Sequence, residues 1–164
     1  LVAELMSISA RTAPKAAGKD FIVTAIVEGE DLEALAIKMY QFGERTGKKN
    51  FDRDGANVRD SDVLLLIGIK DEKVLGLNCS ACGEEKCIKP NTFEGEFKGP
   101  HCAHRLLDMG IAIGSAVKTA SLLNVDNRVM YRAGVVAREM GLIDADFVMG
   151  IPISATGKNI YFDR

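Results

Sequence analysis

Apolar and polar positions fall along the chain with periods that mark out its elements. Apolar residues at Leu1, Leu5 and Ile8, with small residues between them, predict a helix over 1–13 that stops before Pro14. Ala13 to Asp20 reads as a loop. Phe21 to Val27 is rich in β-branched residues and bounded by Asp20 and Gly29, the marks of a strand. A long helix follows, with Glu30 and Asp31 at its positive end and Leu32, Leu35, Ala36, Met39 and Tyr40 at helical spacing. Gly43 to Asp62 is polar and reads as a surface connection with room for a helical turn. Val63 to Ile69 is an unbroken apolar run, short enough for a buried strand. Leu77 to Cys102 interrupts the pattern with Gly, Pro, charges and cysteines. Beyond it, helices are predicted from about Ala103 to Leu123 and from about Asn127 to Met140, the second closed by Gly141. Phe147 to Ile151 is the last strand, and Pro152 to Arg164 reads as a polar tail broken at Gly157. This order implies an α+β layered arrangement in a single domain, 1–164, with a cysteine-rich insert at about 77–102.

Composition narrows the function classes. With 47% hydrophobic and 27% charged residues in 164, the chain can bury a real core. Its 21 basic and 23 acidic side chains provide no cationic surplus for a phosphate backbone, so no nucleic-acid partner is expected. The longest apolar runs, Val63 to Ile69 and Met109 to Val117, fall short of the roughly 18–20 residues of a membrane span. Leu1 to Ala10 lacks the basic leader of a signal peptide and carries Glu4, so a cytoplasmic location is expected.

The four cysteines carry the clearest chemistry. Cys79, Cys82, Cys87 and Cys102 are spaced C-x2-C-x4-C-x14-C, crowded into one segment of a chain large enough to need no disulfide staples. Four thiolates so spaced can wrap a [4Fe-4S] cluster, two from a tight C-x2-C turn and two from the flanking chain. Gly83 is expected to leave backbone amides free to approach sulfur, and Pro100 to stiffen the approach of Cys102. Zinc is the alternative, since it also accepts four thiolates, or thiolates with His101 or His104; structural zinc sites, however, usually use two matched knuckles. His104 is expected to start a helix beside the site and His101 to face solvent. No acid–base pair or nucleophile stands out. Asp52 to Asn57 fails the calcium-loop pattern, and Ser154 to Lys158 lacks the first glycine of a phosphate loop.

The runs Asn78–Cys87 (NCSACGEEKC), Gly99–Cys102 (GPHC) and Gly150–Arg164 (GIPISATGKNIYFDR), with Ser9–Lys15 (SARTAPK) and Val117–Asn127 (VKTASLLNVDN), resemble a prokaryotic family of uncharacterised ferredoxin-domain-containing proteins. That resemblance spans nearly the whole chain and implies an iron–sulfur site without an assigned reaction. The cysteine run also resembles the small cluster-binding motif of anaerobic redox proteins, such as corrinoid iron–sulfur subunits and electron-transport complex subunits. Arg11–Pro14, Phe21–Val27 and Val148–Pro152 are similar to loop-strand and final-strand segments of flavin-dependent nitroreductases. This second resemblance implies a nitroreductase-like fold carrying the cysteine insert, and FMN at the interface of a homodimer. It makes Arg11, Lys15 and Lys158 the candidate flavin-binding residues, against the plainer reading of solvated loop charges. The Arg-rich opening that holds the FMN phosphate in nitroreductases has no counterpart before Leu1. Gly110 and Gly114 give the helix after Cys102 a thin face, suited either to packing on the sheet or to a subunit interface. Arg128, Arg132 and Arg138 read as a solvated stripe. Together these features predict a redox protein whose cluster exchanges single electrons with FMN or with an electron-transfer partner protein. The competing expectation is a non-enzymatic module with a structural zinc.

Overall fold

The alternation within Val63–Ile69 sets the layering. In the computed structural model, which describes residues 1–162, Leu64 and Leu66 point to one side of a sheet and Leu65, Ile67 and Ile69 to the other, all fully buried. Asp163 and Arg164, the end of the expected polar tail, lie outside the described residues. A strand buried on both faces reads as a continuous apolar run, because period-two alternation then sorts apolar residues between two cores. Each such side chain contributes roughly 1.5–3 kcal/mol by leaving water.

The helices are α1 (Val2–Thr12), α2 (Glu30–Thr46), α3 (Phe51–Arg59), α4 (Ala103–Leu122) and α5 (Tyr131–Glu139). The strands are β1 (Ile22–Val27), β2 (Val63–Ile69), β3 (Phe93–Glu94), β4 (Lys98–Gly99), β5 (Asp126–Asn127) and β6 (Phe147–Ser154). Four of them form an antiparallel sheet ordered β1-β2-β6-β5, in which Ile22 pairs with Ile69 and Val63 with Ile153. One core unites Leu32, Leu35, Met39 and Phe42 of α2, Phe51 and Val58 of α3, and the apolar positions of α5. The opposite core unites Ala3, Met6 and Ala10 of α1 with Met109, Ala112, Ala116 and Ala120 of α4.

Several expectations need correcting. In α1 the apolar stripe faces outward, with Leu1, Leu5 and Ile8 at 87, 37 and 58% exposure, while Ala3, Met6 and Ala10 pack inward. Tyr40 of α2 is likewise exposed. The polar stretch after Gly43 is mostly helical, because α2 runs on to Thr46 and Phe51 and Val58 anchor α3 in the core; Phe51 stacks on Phe42. Asp126 and Asn127 pair with Ile153 and Ser154 as β5, so α5 starts only at Tyr131. Consequently β6 extends to Ser154, and the tail docks back: Tyr161 is fully buried, its hydroxyl 2.8 Å from Ser61 Oγ.

The close approach of backbones lies at Gly134 on α5, not at Gly110 and Gly114. A Cβ on Gly134 would sit 2.0 Å from the Val148 carbonyl oxygen, so α5 rests directly on β6. Gly110 and Gly114 have nothing within 4 Å of their Cβ positions. The arginines are also engaged instead of lying in solvent. Arg132 pairs at 2.9 Å with buried Asp54, Arg138 donates to Ala145 O and to Glu94, and Arg128 lies over the Phe162 ring.

Candidate metal centre

The segment 70–102 leaves the sheet at the end of β2 and returns at the start of α4, so its two ends are fixed by the scaffold. Asp146, next to β6, is buried and binds both ends of the insert: its Oδ2 accepts the Asp71 amide at 2.7 Å and the Asn91 side-chain amide at 3.0 Å, and its backbone carbonyl accepts Lys98 N–H at 2.9 Å. The short β3–β4 hairpin is clamped from α5 by Arg138, which reaches Glu94 at 2.7 Å and Glu96 O at 3.2 Å.

Within that frame Cys79, Cys82, Cys87 and Cys102 line one small hollow of about 20 Å³, together with Val74, Ile88 and His104. Three of the four come from one tight loop. Asn78 and Ser80 have positive φ, and Gly83 at φ +92° supplies the sharpest turn, a conformation glycine adopts freely. The Gly83 amide itself closes a turn onto Ser80 O at 2.9 Å, so the amide that approaches sulfur is that of Asn78, 3.3 Å from Cys87 Sγ. Asn78 Oδ1 in return accepts the Cys87 amide at 3.0 Å. Sequence spacing could not show this reciprocal clamp, because an asparagine before a cysteine has no fixed partner.

Cys102 is the N-cap of α4 and is buried, whereas Cys79 and Cys82 are exposed. His104 in the first turn of α4 brings Nε2 to 3.6 Å from Cys79 Sγ, across the hollow from its own helix. Expected to face solvent, His101 is instead buried, edge-on to Phe147, with Nδ1 3.3 Å from Glu72 Oε1. Glu72 is buried, and Oε1 accepts the Cys102 amide at 2.8 Å. Sequence reading missed Glu72 because an acidic residue at a strand exit ordinarily lies in solvent.

The donor set fits an iron–sulfur cluster: four thiol side chains and an apolar lining surround one space, with a backbone amide already directed at one sulfur. Among the described residues no three His, Cys, Asp or Glu side chains gather closely enough to hold one metal ion.

The three cationic candidates are placed differently. Arg11 donates to Ile22 O and pairs with Asp20 at 3.0 Å. Lys15, 6% exposed, donates to Ala10 O at 2.9 Å and to Arg11 O at 2.5 Å, closing the end of α1. Burial pushes its ammonium pKa down, against the pull of Asp20. Lys158 is exposed in the tail, where its carbonyl accepts the Thr156 hydroxyl at 2.7 Å.

Comparison with known proteins supplies further constraints. A family model described as an uncharacterized protein containing a ferredoxin domain matches residues 98–164. An uncharacterized protein of Archaeoglobus fulgidus is 50% identical over 167 residues, covering 100% of this chain and 90% of the relative. A nitroreductase with bound FMN from Desulfitobacterium hafniense superposes with a TM-score of 0.63 at 10% identity, covering 96% of this chain and 78% of that one. A nitroreductase from Lactococcus lactis in complex with chloramphenicol gives 0.65 at 12% identity with the same coverage. A nitroreductase with bound FMN from Bacteroides fragilis gives 0.59 at 12% identity, again over 96% and 78%. The chain therefore has the nitroreductase fold.

Proposed function

We propose, for a chain that belongs to the family of uncharacterized proteins containing a ferredoxin domain, that it is a redox protein with a [4Fe-4S] cluster on Cys79, Cys82, Cys87 and Cys102. The observation that carries this reading is the convergence of the exposed loop 79–87 and the buried helix start at Cys102 on one hollow. Such a cluster supplies single-electron transfer. The chain holds Cys102 and its helix start fixed, keeps water from that side, and leaves Cys79 and Cys82 open to a partner protein.

FMN is the second centre in this reading, bordered by Arg11, Lys15 and Lys158, between two copies of the chain. It is supported by the fold and by the FMN bound in the similar proteins. Arg11 and Lys15, held by Asp20, serve there as fixed charges of the loop wall, and exposed Lys158 as the charge of the tail. The homodimer is supported by the outward stripe of Leu5 and Ile8 on α1 beside Leu107 and Ile111 on α4, where Gly110 and Gly114 leave room for another helix.

The test is anaerobic purification followed by iron, sulfide and flavin analysis and electron paramagnetic resonance. Iron and sulfide in equal amounts with a reducible signal, lost when any one of the four cysteines is replaced by serine, is the expected outcome. Zinc without sulfide overturns the cluster, and FMN titration that leaves flavin fluorescence and protein melting unchanged overturns the flavin.

A further inference from the structure

Behind Cys102 the chain buries a carboxylate that the ligand set does not use. The Glu72 side chain is 0% exposed, and it lies thirty positions before the residue whose amide it accepts. Among the described residues its second oxygen, Oε2, has no hydrogen-bond partner, and neither ring nitrogen of neighbouring His101 has one. The geometry at Cys102 resembles one half of a capping box. There, an acidic side chain at the third helical position reaches back to the amide of the N-cap residue. In α4 the N-cap is Cys102 and the third position is Arg105, which can only donate. Glu72, arriving from the end of β2, takes the place of the missing acceptor.

We propose that Glu72 is a positioning residue for the cluster. By holding the Cys102 amide it fixes the backbone from which this buried sulfur projects, while the other three cysteines sit on an exposed loop whose contacts come from Asn78 and from His104 of α4. This rests on the iron–sulfur reading above. Fixing one ligand in advance matters because a ligand that must be ordered on binding weakens the site by the entropy of ordering it. The role belongs to the oxygen that accepts the hydrogen bond and not to the charge, so glutamine should replace glutamate, whereas a shorter acid should not.

The experiment compares wild-type, E72Q, E72D and E72A proteins loaded anaerobically, then challenged with an iron chelator while cluster absorbance is followed. Iron release from E72D and E72A is expected to be faster by roughly 10- to 100-fold, the usual loss when a residue supporting a metal ligand is removed, while E72Q keeps the wild-type rate. The metal-free melting temperature is measured on the same four proteins. E72D that melts like wild type yet loses iron quickly supports the proposal, and it decides the matter if E72A fails to fold. Wild-type release rates in E72D, equally fast release in E72Q, or a melting loss in E72D that tracks its iron loss each overturn it. Failure of the iron–sulfur reading itself shows earlier and separately, as a wild-type protein that holds no iron and sulfide.

Discussion

The sheet with its helices and the segment 70–102 are built on opposite principles. In the first, β2 is sealed on both faces, Leu64 to Ile67 have no exposure, and the inward faces of α2, α4 and α5 close two cores over it. In the second, Leu77 and Phe93 stand 61 and 71% exposed, Cys79 and Cys82 are open, and no helix forms. What holds that segment is largely a set of polar contacts at its edges and to the scaffold, among them those of Asp146, Glu72, Arg105, Arg138, Tyr131 and Lys48. Apolar burial is spread over many residues and tolerates small losses. A segment fixed by single polar anchors fails one anchor at a time.

The largest effect should come from the scaffold. Gly134→Ala places a methyl 2.0 Å from the Val148 carbonyl oxygen; the methyl is fixed by its own backbone and the oxygen belongs to one, so neither can rotate away. Helix α5 must lift from β6, and the expected destabilisation is about 3 kcal/mol or more, at the upper end of overpacking costs. Denaturant unfolding of the metal-free protein measures it. A loss confined to a few tenths of a kcal/mol would mean that α5 does not rest on the strand as described.

A smaller and more local effect should follow Asp146→Ala. The substitution strands the amides of Asp71 and Asn91 and releases Lys98, each of which now reaches the same carboxylate. A buried group left without its partner costs about 1–3 kcal/mol, and here the cost falls on the insert. Protease nicking should therefore rise within 71–101 while amide exchange in β2 and β6 stays slow. Nicking spread evenly over the chain would dissolve the distinction between the two regions.

The same contrast explains what was legible in the sequence. The α+β order, β1, β2 and the helices with a one-sided apolar pattern can be read from periodicity because burial repeats with the element. Phe51 and Val58 lie seven apart among charges, so α3 shows too few apolar residues to announce itself, and only tertiary packing reveals it. In α1 the leucines and Ile8 mark the outward face, since Met6 fills the core and the small Ala3 and Ala10 beside it leave room for α4 to pack close. Spacing points to one shared space for Cys79, Cys82, Cys87 and Cys102, and they line one hollow. The supports of that hollow were not legible, because Glu72, Asn78 and Asp146 act through single hydrogen bonds to distant amides, and no local pattern encodes a partner 75 positions away.

The smallest effect concerns the β3–β4 hairpin, and it separates polar anchoring from packing by pH. Glu96 accepts from the Tyr131 hydroxyl and from Lys48. Burial alone would raise its carboxyl pKa, but the hydrogen bonds from Lys48 and Tyr131 outweigh it and hold the group below its usual value. A carboxyl whose folded pKa is depressed stabilises the fold above its unfolded value, about 4.3, and loses that contribution as pH falls through the folded value. Tyr131 is raised, by burial first and then by Glu96, so on the alkaline side stability is lost as pH climbs from the ordinary tyrosine range toward the folded value. The hairpin should thus loosen at both extremes while the two cores stay closed. Tyr131 fluorescence and protease access at 93–99 should change in acid before far-ultraviolet circular dichroism does, and E96Q should remove that early step. If hairpin and scaffold open together in acid, the hairpin is held by Phe97 packing on Phe147 and Tyr131, and Glu96 is a bystander.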